Sequence, residues 1–209
     1  MLADCGVDFI GFPLRLPNGR EDLSETDAKA IISGLKPPAR GVVITYLDDA
    51  DSISSFCREI GTTIVQLHGD IRPGELERLR ELDPHIGIVK SLIVREDNLA
   101  RLKSVVDRTS DFVNAYITDT FDPVTGTCGA TGKTHDWSIS RKIVEYSTRP
   151  VILAGGLRPE NVHDAILVVR PAGVDSHTGV EGSDGRKSRV LVERFLAESR
   201  AAFEAVRKT

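Results

Sequence analysis

Short apolar runs alternate along this chain with longer charged segments of helical period, and this alternation constrains the fold more than any other feature. The runs cover residues 7–12, 41–46, 63–68, 86–92, 112–118, 150–154 and 172–175. Most are rich in Val and Ile, which suits strands buried on both faces of a parallel sheet. Helix candidates lie between them. Ser24 opens one, as an N-cap with Asp27 at the third helical position. Others span 48–60, 73–82, 96–107, 137–146 and 159–169, with Pro73 and Pro159 placed in a first turn, where proline is tolerated. A closing helix over 187–206 can gather Val190, Leu191, Phe195, Ala202 and Phe203 on one face.

Strand and helix recur about every 22 to 38 residues without a linker, repeat or low-complexity stretch. One domain over 1–209 is expected, built as a parallel sheet with helices outside. The alternatives are an open doubly wound sheet and a closed (β/α)8 barrel. Polar or glycine residues gather at the ends of four strands: Gln66 and His68, Asp119 and Thr120, Gly155 and Gly156, and 175–179. An open sheet usually confines its site to one switch point, whereas a barrel delivers every strand end to one mouth. The spread over four strands favours the barrel, although strand ends are also polar simply where they meet water.

Charge narrows the partners. Lys plus Arg number 27 and Asp plus Glu 31, a net charge of −4 with a pI near 5.8. That balance argues against nucleic-acid or membrane-surface binding and leaves room for a small anion. The first ten residues have no basic cluster and resemble no targeting peptide. Cys5, Cys57 and Cys128 form no close pair, which fits a reducing cytoplasm and gives no zinc motif.

Four features carry candidate chemistry. Gly155-Gly156 after a strand reads as a phosphate cradle, because glycine lets backbone N–H groups approach an anion. The turn at His177-Thr178-Gly179 would supply the other half if a short helix starts there. Asp119 closes a strand, where a partly desolvated carboxyl could serve as general acid; an N-cap or ion pair is the plainer alternative. The following loop, 120–135, is long enough to be functional. Arg20, after the first strand, could fork onto a carboxylate or be an ordinary surface arginine.

Together these residues resemble the phosphoribosylanthranilate isomerase family of tryptophan biosynthesis. The matching stretches are VQLHGD at 65–70, TDT at 118–120, GATGKTHDW at 129–137, PVILAGGLRPENV at 150–162 and VDSHTGVE at 174–181. They run in the family's order from about residue 3 to the C-terminus. The resemblance implies a TIM barrel and an Amadori rearrangement that needs no metal or cofactor. It also implies a small phosphorylated substrate, a cytoplasmic monomer or homodimer, and no nucleic-acid or membrane partner. Asp119 would be the acid that protonates the ribosyl ring oxygen. Arg20 would face the anthranilate carboxylate, and His68 and Asp175 would line the pocket. Gly155, Gly156, Thr178 and Gly179 would hold the phosphate.

The resemblance also shows departures. Residues 1–6 match only the end of the family's first helix, so the first strand, with its Lys-x-Cys-Gly general base, is expected to be missing. Cys5 does not stand in for that cysteine. A seven-stranded sheet would leave two edges, and loss of the base would forfeit roughly 10²–10⁴ in rate. Two other functions fit the same residues: an impaired barrel that only binds phosphate ligands, and a related phosphate-binding barrel enzyme.

Overall fold

A computed structural model describes residues 1–17, 19, 21–120 and 136–208. Arg20, Cys128 and nearly all of the 120–135 loop lie outside these residues. The described elements are α1 (Leu2–Cys5), β1 (Phe9–Pro13), α2 (Glu25–Gly34), β2 (Arg40–Thr45), α3 (Ala50–Ile60), β3 (Ile64–Leu67), α4 (Pro73–Leu82) and β4 (Gly87–Val94). They continue with α5 (Leu99–Thr109), β5 (Ala115–Thr120), α6 (Trp137–Tyr146), β6 (Val151–Leu153), α7 (Val162–Val169), β7 (Gly173–Val174), a 3-10 turn (Thr178–Val180) and α8 (Arg189–Arg207).

Sheet order follows chain order, β1-β2-β3-β4-β5-β6-β7. A doubly wound sheet reverses its order at a switch point; this order never reverses, which is the connectivity of the barrel class. The chain falls into two compact units, residues 2–91 with 108–114, and residues 92–107 with 115–209 and Met1.

In the first unit β1 pairs β2, β2 pairs β3 and β3 pairs β4, all parallel. All four residues of β3 are buried, as a parallel central strand requires. The helices are held at their starts by side chains. Asp27 N–H donates to Ser24 Oγ at 3.1 Å and Ser52 N–H to Asp49 Oδ1 at 2.8 Å, each satisfying an orphan donor of the first turn. Pro73 occupies the first turn of α4, where its missing N–H has no consequence. A core of Phe12, Leu14, Ala28, Ile32, Val43, Phe56 and Ile60 fills the space between the strands and α2 and α3.

In the second unit β5, β6 and β7 pair in parallel, with Thr118 beside Leu153 and Leu153 beside Val174. Asp136 caps α6, accepting from Ser138 N–H at 2.8 Å. The buried stripe of α8 differs from the expected one. Val192, Phe195, Ser199 and Ala202 are buried, at spacings of three and four, whereas Val190 is 71% exposed. Val190 lies about 140° around the helix from Phe195, so it falls off the stripe once Phe195 is seated. Helix α7 begins at Val162, three residues after Pro159, because Asn161 folds back on the preceding turn.

Candidate active site

Register places the two carboxylates singled out at the strand ends. The row Thr118, Leu153, Val174 is followed by the row Asp119, Ala154, Asp175. Ala154 N–H donates to Thr118 O at 2.9 Å and Asp175 N–H to Leu153 O at 2.9 Å, which fixes that second row. Parallel neighbours in one row share a face, so Asp119 and Asp175 point the same way from alternate strands, roughly 10 Å apart at Cα. Asp119 is half-buried, and its Oδ1 accepts from Thr120 N–H at 2.7 Å. Among the described residues it caps no helix: α6 is capped by Asp136. Asp175 is reached by water yet densely ringed by protein, the condition of a group in a concave surface. Desolvation, then the Asp119 charge, pushes its carboxyl up to about 6, while His177 and Lys187 pull the other way.

The two glycine turns expected to cradle a phosphate meet at Leu157. Gly155 and Gly156 have φ of 95° and 62°, a pair of left-handed residues that side chains disfavour. Asn161 Nδ2 donates to Gly156 O at 3.1 Å, and Arg158 N–H donates to Asn161 Oδ1 at 2.8 Å, holding that loop. From the other side, Ser176 Oγ donates to Leu157 O at 2.7 Å. Gly179 is pressed on the same carbonyl: a Cβ there would lie 1.8 Å from Leu157 O. The expected short helix after β7 is a single 3-10 turn of Thr178–Val180.

In the first unit His68 follows β3, is 9% exposed, and sets its ring against Tyr46 with centroids 4.8 Å apart. Gln66 shares its face of the strand and donates from Nε2 to Ser91 Oγ at 3.2 Å. The buried Lys90 escaped the reading of the sequence, although a lysine inside a Val/Ile run was a visible signal. Its Nζ donates to Ser91 O at 2.8 Å and Leu67 O at 3.4 Å. Burial lowers its pKa to about 8, against the pull of Asp70. Ser91, Asn161, Ser176 and Lys187 were missed as well. Arg20 lies outside the described residues. Among those described, no group of three or more His, Cys, Asp or Glu could hold a metal ion, and no helix is long and apolar enough to cross a membrane.

The family model for N-(5'-phosphoribosyl)anthranilate (PRA) isomerase matches residues 15–198. The chain belongs to this family. An N-(5'-phosphoribosyl)anthranilate isomerase 2 of Methanosarcina mazei is 40% identical over 208 residues, covering 99% of this chain and 91% of the relative. The crystal structure of phosphoribosyl anthranilate isomerase from Thermotoga maritima superposes with a TM-score of 0.79 at 28% identity, covering 96% of this chain and 91% of that one. A second solved structure, of phosphoribosyl anthranilate isomerase in complex with reduced 1-(o-carboxyphenylamino)-1-deoxyribulose 5-phosphate, gives a TM-score of 0.77 at 26% identity, covering 96% and 91%. The (β/α) barrel class read from strand order is the class of these isomerases.

Proposed function

We propose that this chain isomerises N-(5'-phosphoribosyl)anthranilate to 1-(o-carboxyphenylamino)-1-deoxyribulose 5-phosphate, an Amadori rearrangement in tryptophan biosynthesis. The observation that carries the site assignment is the meeting of Gly155-Gly156 with Gly179 at Leu157, next to strands that bear Asp119 and Asp175 in one row. An anion held by the glycine turns leaves the sugar ring within the reach of carboxylates on neighbouring strands.

The reaction needs an acid and a base. Asp119 gives a proton to the ring oxygen as the C1'–O bond breaks and an iminium forms at C1'. Removal of the C2' hydrogen yields the enolamine. Protonation at C1' and loss of the C2' hydroxyl proton complete the ketone, so no atom is gained or lost. Asp175, with its pKa near 6, is mostly ionised at neutral pH and faces the same space. We also assign substrate contacts to His68 and to Arg20, the latter by forking onto the anthranilate carboxylate. Thr178 adds its backbone to the phosphate turn. Neither described cysteine is a catalytic thiolate: Cys57 is buried in α3 with its thiol pushed up to about 12, and Cys5 ends α1.

The net charge of −4 argues against a nucleic-acid partner and leaves room for a small phosphorylated substrate held by local donors. We place the enzyme in the cytoplasm, as monomer or homodimer. Asp119→Asn should lower kcat by roughly 10² or more with little change in thermal midpoint. A near-wild-type rate would remove Asp119 from the chemistry. Tight binding of the product by a wild-type chain without turnover would instead favour a phosphate-ligand binder.

A further inference from the structure

The 3-10 turn that carries Thr178 and Gly179 is too short to hold its own shape. It is closed by a small antiparallel hairpin in which Glu181 pairs with Lys187. Gly182 N–H donates to Arg186 O at 2.8 Å and Ser188 N–H to Val180 O at 2.9 Å. Lys187 does more than pair along the backbone. Its ammonium, with the side chain 26% exposed, donates to His177 O at 2.9 Å and to Glu181 Oε1 at 2.5 Å. One cation therefore grips the residue before the turn and the residue after it. Glu181 Oε1 also lies 3.4 Å from His177 Nδ1.

We propose that Lys187 and Glu181 form a clasp that positions the phosphate-binding turn, making Lys187 a positioning residue for substrate affinity. The clasp acts through contact. Gly179 has no slack against Leu157 O, and Ser176 is bonded to that same carbonyl. A displacement of 177–181 is thus passed to Leu157 and on to Gly155-Gly156. Fixing the donors before the anion arrives removes an ordering cost from binding. A solvated surface ion pair would do none of this, but such a pair does not also hold a main-chain carbonyl at the start of a ligand turn.

The inference rests on the phosphate site proposed above, and the test separates the two. Steady-state kinetics and competitive inhibition by inorganic phosphate would be measured for wild type, Lys187→Met, Lys187→Arg and Glu181→Gln, with thermal midpoints. Lys187→Met should raise KM and the phosphate inhibition constant together by about tenfold, with kcat within about twofold. Lys187→Arg, which keeps the charge and donors, should recover most of that loss. Unchanged KM and phosphate inhibition in Lys187→Met would overturn the clasp. So would a fall in kcat that arginine does not rescue. If Lys187→Met is unfolded at the assay temperature, Glu181→Gln decides: it breaks the ion pair, leaves Lys187 on His177 O, and should raise KM alone. A wild-type chain without turnover would defeat the isomerase reading, while calorimetric titration of the same variants with inorganic phosphate would still judge the clasp.

Discussion

The polar groups at β3 and β4 and those at the ends of β5 to β7 follow opposite rules. Gln66, Lys90 and Ser91 are each less than 10% exposed. Gln66 is bonded to Ser91, and the Lys90 ammonium is spent on two backbone carbonyls. Asp119 and the glycine turns are half-buried, and Asp175 is open to water. Buried polar groups that bind one another hold a structure together. Polar groups kept in a water-reached concavity, with one carboxyl pushed toward neutrality by desolvation and then by a neighbouring carboxylate, are available to a ligand. The difference separates a scaffold from a site within one kind of sheet.

The sharpest break of that comparison is Gly156→Asp. Gly156 has φ 62°, and the substitution would set a negative charge in the proposed anion turn. Calorimetry with the product should find affinity down by at least about 10²-fold while far-ultraviolet dichroism is unchanged, since like charges at an anion site cost several kcal/mol. Undiminished affinity would move the phosphate elsewhere. A smaller effect is expected from Gly179→Ala. The added methyl must push Leu157 O away from 1.8 Å, so both halves of the cradle shift. KM should rise by about tenfold, with a stability loss of about 1–3 kcal/mol from overpacking. A neutral result would show that the turn has slack.

Much of this was legible in the amino-acid order. Pro73 and Ser24 mark the starts of α4 and α2, because proline and hydroxyl caps act within one turn. Asp119 and the glycine pair were legible because strand ends and φ-permissive pairs leave local marks. The Lys187 clasp was not, since a lysine ten residues from the carbonyl it holds looks like any hairpin charge. Lys90 is a different case: a lysine in a Val/Ile run is visible in the sequence, but only its two carbonyl partners explain its burial. The α8 stripe was misplaced because Val190 and Val192 are both apolar, and only packing chooses between them.

Lys90 tests the scaffold side. Its pKa falls from 10.5 to about 8 on folding, a displacement worth roughly 3 kcal/mol. Between those values the unfolded chain binds more protons at this site than the folded one, so the Lys90 contribution to stability rises as pH climbs from about 8 to about 10.5. Denaturant unfolding of wild type and Lys90→Met across that window should show the difference between them changing in this sense. Parallel curves would mean that the ammonium is better solvated than its burial implies.

Asp175 tests the site side, with the smallest effect and the opposite sign. Its carboxyl is raised from 3.8 to about 6. Between those values the folded chain holds a proton that the unfolded chain has released, so this group's contribution to stability falls as pH rises from about 4 to about 6. Water reaches the carboxylate and screens it, so the fall is modest in size. Asp175→Asn should flatten it, and thermal midpoints of both chains taken between pH 4 and pH 6.5 would read the difference. Removing the Asp119 charge should act on the same curve, because Asp119 is the second cause of the shift. In Asp119→Asn the fall should become shallower and move to lower pH, while Gln66→Leu, in the scaffold, should leave it where it was. If Asp119→Asn left the wild-type curve unaltered, the two carboxylates would not share one environment, and the row that joins them would be a feature of the backbone alone.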